Sequence, residues 1–132
     1  MRITADADIL LRAHLWDDEE QATAAIVLLE RADLVVLTLP SLCEFVWVLA
    51  RRYRVASSDI ASAVRTLLDL ANVVVDRPAV AAGLAVLDAG GDFADGVIAH
   101  EGRRLGGETF LSFDKEAVSL LRACGVSAQL GG

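Results

Sequence analysis

The chain is predicted to fold as a three-layer α/β/α domain around a central, mostly parallel sheet. Three observations predict it. Short β-branched apolar runs alternate with helical stretches, no linker, repeat or low-complexity tract breaks the alternation, and acids cluster where one element hands over to the next. Alternation of this kind is the pattern of a sheet covered by helices. The length suits one domain, residues 1–132, which buries roughly two-thirds of its extended surface on folding.

Ile3 to Ala5 reads as a short first strand, and the helical periodicity of Ile9-Leu10-Leu11 places Asp6 and Asp8 at a strand-to-helix turn. Asp17-Asp18-Glu19-Glu20 opens a second helix running to about Arg31, and acids in a first turn complement the helix dipole, so this run reads as solvated capping. Leu34 to Leu39 (LVVLTL) has the continuous apolar character of a strand buried on both faces. Pro40-Ser41 then starts a third helix, with Ser41 as N-cap and Glu44 at capping-box spacing. That helix carries two apolar stripes, Leu42, Phe45, Val46, Leu49 and Tyr53 on one side and Cys43, Trp47 and Ala50 on the other, so two buried faces are expected, the second against a dimer mate or protein partner or, alternatively, in ordinary core.

Ser57-Ser58-Asp59 is expected to cap a fourth helix to about Leu70, and Asn72 to Val75 to form a third strand. Asp76-Arg77-Pro78 begins a fifth helix, where the missing N–H of Pro78 costs nothing. Gly90-Gly91 ends it. Asp92 and Asp95 then open a sixth helix (Val97, Ile98, Leu105), Gly106-Gly107 stops it, and a strand from Thr109 to Leu111 leads to Asp114. Ala117 to Cys124 is a last helix stopped by Gly125, and Val126 to Leu130 an edge strand.

Composition narrows the function. Hydrophobic residues make up 55% of the chain, and counting the ten glycines in place of the single tyrosine gives roughly 62%, above the usual ~45–50%. The surplus suggests a dimer or partner face. Net charge is −7, with Lys115 the only lysine, which argues against a general nucleic-acid-coating protein. It does not exclude a nuclease, because acids bound to a divalent metal stop repelling phosphate. Cys43 and Cys124 lack metal-ligand or redox spacing, so reduced thiols are expected. Arg2, Asp6 and Asp8 break up the first residues and the apolar runs are strand-sized, so neither a secretory signal nor a membrane span is expected, and the chain reads as cytoplasmic.

The chemistry lies in the joint arrangement of the acids. Each alone reads as a turn or cap residue. In a helix-covered parallel sheet, however, helix N-termini and strand C-termini share one edge, and Asp6, Glu44, Asp95 and Asp114 are all expected there. Convergent carboxylates repel unless a cation sits among them. Hard oxygen donors suit Mg²⁺ or Mn²⁺, which could polarise a phosphodiester and activate water. There is no P-loop, nucleophilic-serine elbow or Cys/His zinc pattern.

Asp6 with Ile9-Leu10-Leu11-Arg12, Leu42-Cys43-Glu44, Asp92-Phe93-Ala94-Asp95 with Val97-Ile98-Ala99, and Phe113-Asp114-Lys115-Glu116-Ala117 resemble, in order and across essentially the whole chain, the PIN-domain ribonucleases, most closely the VapC-type toxins of toxin-antitoxin pairs. The resemblance implies a Mg²⁺- or Mn²⁺-dependent endoribonuclease whose catalytic and metal-binding acids are Asp6, Glu44, Asp95 and Asp114, with Asp92 as auxiliary ligand. It also implies a homodimer, a cognate antitoxin that blocks the site, and structured RNA such as tRNA as substrate. The chain departs from that pattern at Ala7 and Asp8, where Thr and Asn are usual, and at Ser112, where Thr is common. His100 and Glu101 stand where small residues are frequent, and the lone His reads as a surface residue. Candidate RNA contacts are Arg12, Ser112 and Lys115, ahead of Arg51, Arg52, Arg54, Arg103 and Arg104. Two other classes compete: a catalytically silent PIN-like binding module, and an aspartate-based phosphotransfer or receiver-type protein built on Asp6 or Asp76.

Overall fold

The computed structural model describes the whole chain, Met1–Gly132. It is an α/β fold whose strands are all paired in parallel. Two compact units divide it, Met1–Asp76 and Arg77–Gly132.

The first unit runs β1 (Arg2–Thr4), α1 (Ala7–Leu15), α2 (Glu19–Arg31), β2 (Leu34–Val36), α3 (Leu39–Arg51), α4 (Ser57–Leu68) and β3 (Val73–Val74). The strands pair in the order β1-β2-β3, with Thr4 opposite Val36 and Val36 opposite Val74. All three therefore end level, and the segments that follow them leave from one edge of the sheet. Helix α1 packs on α2 and α3, and α3 on α4. The imidazole of His14 meets the ring of Phe45 edge-on at 6.0 Å. Leu10, Val35, Leu42, Phe45, Leu49, Ile60 and Val64 are fully buried.

The apolar run at Leu34 divides sooner than its composition suggests. Only Leu34–Val36 is strand, and α3 begins at Leu39 with Pro40 in its first turn. Proline cannot donate to a sheet ladder and its fixed φ suits a helix start. The N-cap is accordingly Thr38 and not Ser41; the Ser41 amide donates to Thr38 Oγ1 at 3.3 Å. Glu44 is thus no capping-box partner. A second cap also differs from expectation, because Ala56 occupies the N-cap position of α4 and no side chain caps it. Tyr53 falls beyond the end of α3, and the second stripe is not buried, with Trp47 half exposed. Asn72, just before β3, donates through Nδ2 to the carbonyls of Leu29 (2.8 Å) and Ala32 (3.0 Å), which satisfies the open end of α2.

The second unit runs α5 (Arg77–Asp88), α6 (Phe93–Arg104), β4 (Phe110–Ser112), α7 (Lys115–Ala123) and β5 (Ala128–Leu130). β4 and β5 pair in a sheet of their own, so the five strands form a three-stranded and a two-stranded sheet instead of the single one expected. Helix α5 packs along α6 so closely that a Cβ on Gly96 would lie 2.4 Å from the carbonyl oxygen of Ala82. Val86, Val118, Leu121 and Ala128 form a small core under this sheet and α7. The periodicity of α6 misleads at two positions: Val97 is buried, but Ile98 and Leu105 face solvent. No helix is long and apolar enough to cross a membrane.

Candidate active site

In the first unit the level strand ends set the acids. Asp6 follows β1 and stands at the N-cap position of α1, yet its side chain makes no capping hydrogen bond. Its carboxylate is left exposed and available for other work. Glu44, in the second turn of α3, is likewise exposed. Both line one cleft of about 280 Å³ together with Asp8 and Arg12. Trp47, Arg52 and Tyr53 line it as well. The structure therefore brings Asp6 and Glu44 to one place, as the sheet-edge argument requires.

Arg12 is already engaged there. Its Nη1 donates to both carboxylate oxygens of Asp17, at 3.0 and 3.1 Å, and its Nε lies 3.5 Å from Asp8 Oδ1. Tyr53 donates its hydroxyl to Asp17 Oδ2 at 3.4 Å. The Tyr53 hydroxyl, followed by the charges of Asp17 and Asp8, holds the guanidinium above its ordinary pKa. Asp17, which the sequence offered only as part of a capping run, is thus a brace for the cleft wall. Asp18 is the residue that caps α2, accepting from the Gln21 amide at 3.1 Å.

The second unit holds three further acids. Asp92 is the N-cap of α6 and accepts from the Ala94 amide at 3.1 Å. Asp95 sits one turn on, partly buried. Asp114 follows β4 and caps α7, accepting from the amides of Glu116 (3.0 Å) and Ala117 (3.1 Å), while its own amide donates to Ser112 Oγ at 3.0 Å. Burial, then the charges of Asp92 and Asp114, pushes the Asp95 carboxyl above the usual carboxylate range. These three acids are therefore close enough to feel one another. Lys115 is exposed at the start of α7 and makes no ion pair. His100 is half-buried with Nε2 enclosed and unpartnered, and Glu101 pairs with Arg104 at 3.2 Å.

No polar or charged residue is fully buried anywhere, so all the candidate acids can be reached from solvent. Neither unit gathers three or more His, Cys, Asp or Glu side chains into a ready-made metal cage. The donors nevertheless fit a hard divalent cation in kind, since Mg²⁺ commonly takes one or two carboxylates and keeps several waters. A cation beside Asp95 would favour the charged carboxylate that burial and the neighbouring acids disfavour.

The family model for the PIN domain matches residues 3–122. The chain belongs to the PIN-domain family. The match takes in every acid discussed above, from Asp6 to Asp114. PIN domains are generally nucleases and typically use divalent metal ions, and the helices and parallel strands of this chain are consistent with that fold. No curated protein matches this PIN domain.

Proposed function

We propose that this PIN domain is a Mg²⁺- or Mn²⁺-dependent endoribonuclease, the VapC-type toxin of a type II toxin-antitoxin pair, that hydrolyses phosphodiester bonds in structured RNA such as tRNA. The observation that carries the reading is the state of the acids: Asp6 and Glu44 share one cleft with free carboxylates, and burial, then the charges of Asp92 and Asp114, raises the pKa of Asp95. Acids kept exposed at like-charge cost, where a cap or turn needs only one of them, are a hallmark of sites that await a cation.

Asp6, Glu44, Asp95 and Asp114 are the residues assigned to the metal and to catalysis, with Asp92 as auxiliary ligand. A divalent cation supplies Lewis-acid polarisation of the phosphodiester and makes water acidic enough to attack it. Around it, the chain's own groups do the positioning. The two amides that bind Asp114 hold its carboxylate at the head of α7, and the Ser112 hydroxyl fixes the backbone beside it. The capping bond of Asp92 leaves its second oxygen open. Lys115 offers an unpaired ammonium to phosphate. The same reading includes a cytoplasmic homodimer and a cognate antitoxin, for which the apolar surplus and the exposed Leu105, Leu111 and Phe113 provide surface.

The test is cleavage of a structured RNA with and without Mg²⁺ or Mn²⁺. Activity should require the metal and disappear in Asp6→Asn and in Asp95→Asn, both of which keep side-chain volume. Cleavage that persists in both variants would overturn the assignment. Absence of cleavage with any tested RNA, in a chain that binds Mn²⁺, would return the silent binding module. Growth arrest on expression, lost in the same variants and rescued by the adjacent reading frame, tests the toxin role.

A further inference from the structure

We infer that the cleft of the first unit docks one unpaired guanine base of the RNA, stacked on Trp47 and read by Asp8, with Arg52 on its phosphate. The inference rests on the ribonuclease reading for the identity of the polymer and for the assignment of Asp6 and Glu44 to the cation. The cleft is walled by two aromatic side chains left half exposed, Trp47 at 50% and Tyr53 at 42%. Aromatic faces of this kind are costly to leave in water and stack on any base. Its volume, about 280 Å³, lies below the ~300–1,000 Å³ of pockets for drug-sized ligands, so it admits a single base and not a folded stem.

The polar groups select which base. On the ribonuclease reading Asp6 and Glu44 serve the cation, whereas Asp8 is 73% exposed, and its 3.5 Å ion pair with Arg12 Nε is not a hydrogen bond and leaves its oxygens open as acceptors. A carboxylate has about four lone-pair sites and accepts only. Guanine presents two adjacent donors, N1–H and the exocyclic amine, to such a group, while uracil presents a single imino donor between two carbonyl acceptors that would face negative charge. Arg12 is the poorer phosphate ligand of the two arginines, because its Nη1 already donates to both carboxylate oxygens of Asp17. Arg52 makes no ion pair and lines the same cleft, which leaves its guanidinium for phosphate.

The experiment uses the full chain carrying Trp16→Phe, so that Trp47 is the sole fluorescent tryptophan, with Mg²⁺ and hydrolysis-resistant phosphorothioate hexaribonucleotides. A uridine hexamer with one central guanosine should quench Trp47 and bind at least about 5-fold more tightly than all-uridine. Trp47→Ala should weaken binding of a labelled hexamer by about 5- to 150-fold, the range that one stacked base is worth. Asp8→Asn should remove the guanosine preference and leave uridine binding in place. The proposal is overturned if Trp47→Ala, with a native circular dichroism spectrum, binds the hexamer within twofold of its parent, or if Asp8→Asn keeps the preference. It is also overturned if Trp47→Ala abolishes self-association with hexamer affinity intact, which would assign the aromatic wall to a second copy. Guanosine-selective binding by a chain that never cleaves unmodified RNA would leave the docking site standing and remove the nuclease reading alone.

Discussion

Gly96→Ala should destabilise the protein although alanine is the better helix former. Gly96 lies within α6, where replacing glycine by alanine ordinarily gains about 0.5–1 kcal/mol. Here the added Cβ would sit 2.4 Å from the Ala82 carbonyl oxygen, 2.8 Å from Gly83 Cα and 2.9 Å from the Ala82 carbonyl carbon. Each obstacle is backbone, so the strain cannot be relieved by turning a side chain and α5 must part from α6. Overpacking of this sort costs about 1–3 kcal/mol, occasionally more, and a rigid backbone neighbour places it at the upper end. Offset by the propensity gain, the net loss is about 1–2 kcal/mol, or a Tm lower by roughly 3–10 °C for a chain of this size. Gly102→Ala provides the control. It lies in the same helix with nothing within 4 Å of the new Cβ, and should be neutral or stabilising by up to about 1 kcal/mol. Urea unfolding followed by circular dichroism reads both. A Gly96→Ala protein as stable as wild type would refute the claim that the two helices touch through their backbones. The variant should also lose activity beyond its loss of stability, because Asp95 is the adjacent residue.

Asp95→Asn should raise stability at pH 7 in metal-free buffer while abolishing cleavage. Burial and two neighbouring carboxylates raise the folded-state pKa of Asp95, so its favourable contribution is complete below the ordinary aspartate pKa and is lost as pH rises through the raised value. The gap between variant and wild type should therefore close on acidification; a gap constant from pH 7 to pH 3 would contradict the cause given. Asp114 has a structural duty separate from any metal, and Asp114→Ala should cost about 0.5–2 kcal/mol through loss of the α7 cap, whereas Asp114→Asn should keep most of that stability and still lose activity. Equal stability of the two variants would show that the cap is energetically idle. Asn72→Ala leaves the carbonyls of Leu29 and Ala32 without their partner and should cost about 1–3 kcal/mol by urea unfolding.

Much of the fold was legible because the core pattern is strong. The apolar stretches around Val35 and Val73 could be placed on strands and Leu42, Phe45 and Leu49 on a buried helix face from spacing alone, and all are buried. Helix starts were harder to place where several cap-forming residues stand in a row. Thr38 takes the cap because Pro40 favours a helix that begins before it, so Ser41 falls inside the first turn. The acids that follow strands could be found by position, and Asp6 and Glu44 do meet in one cleft. The clamp on Arg12 could not be read in advance. Asp17 reaches it across the turn between two helices and Tyr53 from 36 residues further along the chain than Asp17, contacts that no periodicity encodes. The same holds for the exposed Ile98, which helical spacing assigns to the core and which the packing of α6 turns outward.

The Arg12 clamp has an electrostatic consequence for polyanion binding. A guanidinium whose charge is already balanced by Asp17 and Asp8 displaces no condensed ions when a phosphate draws near. Of the two arginines on the cleft, only Arg52 adds to the release of bound counterions. Occupancy of that surface by RNA should therefore fall off gently with added potassium chloride, by about one power of the concentration.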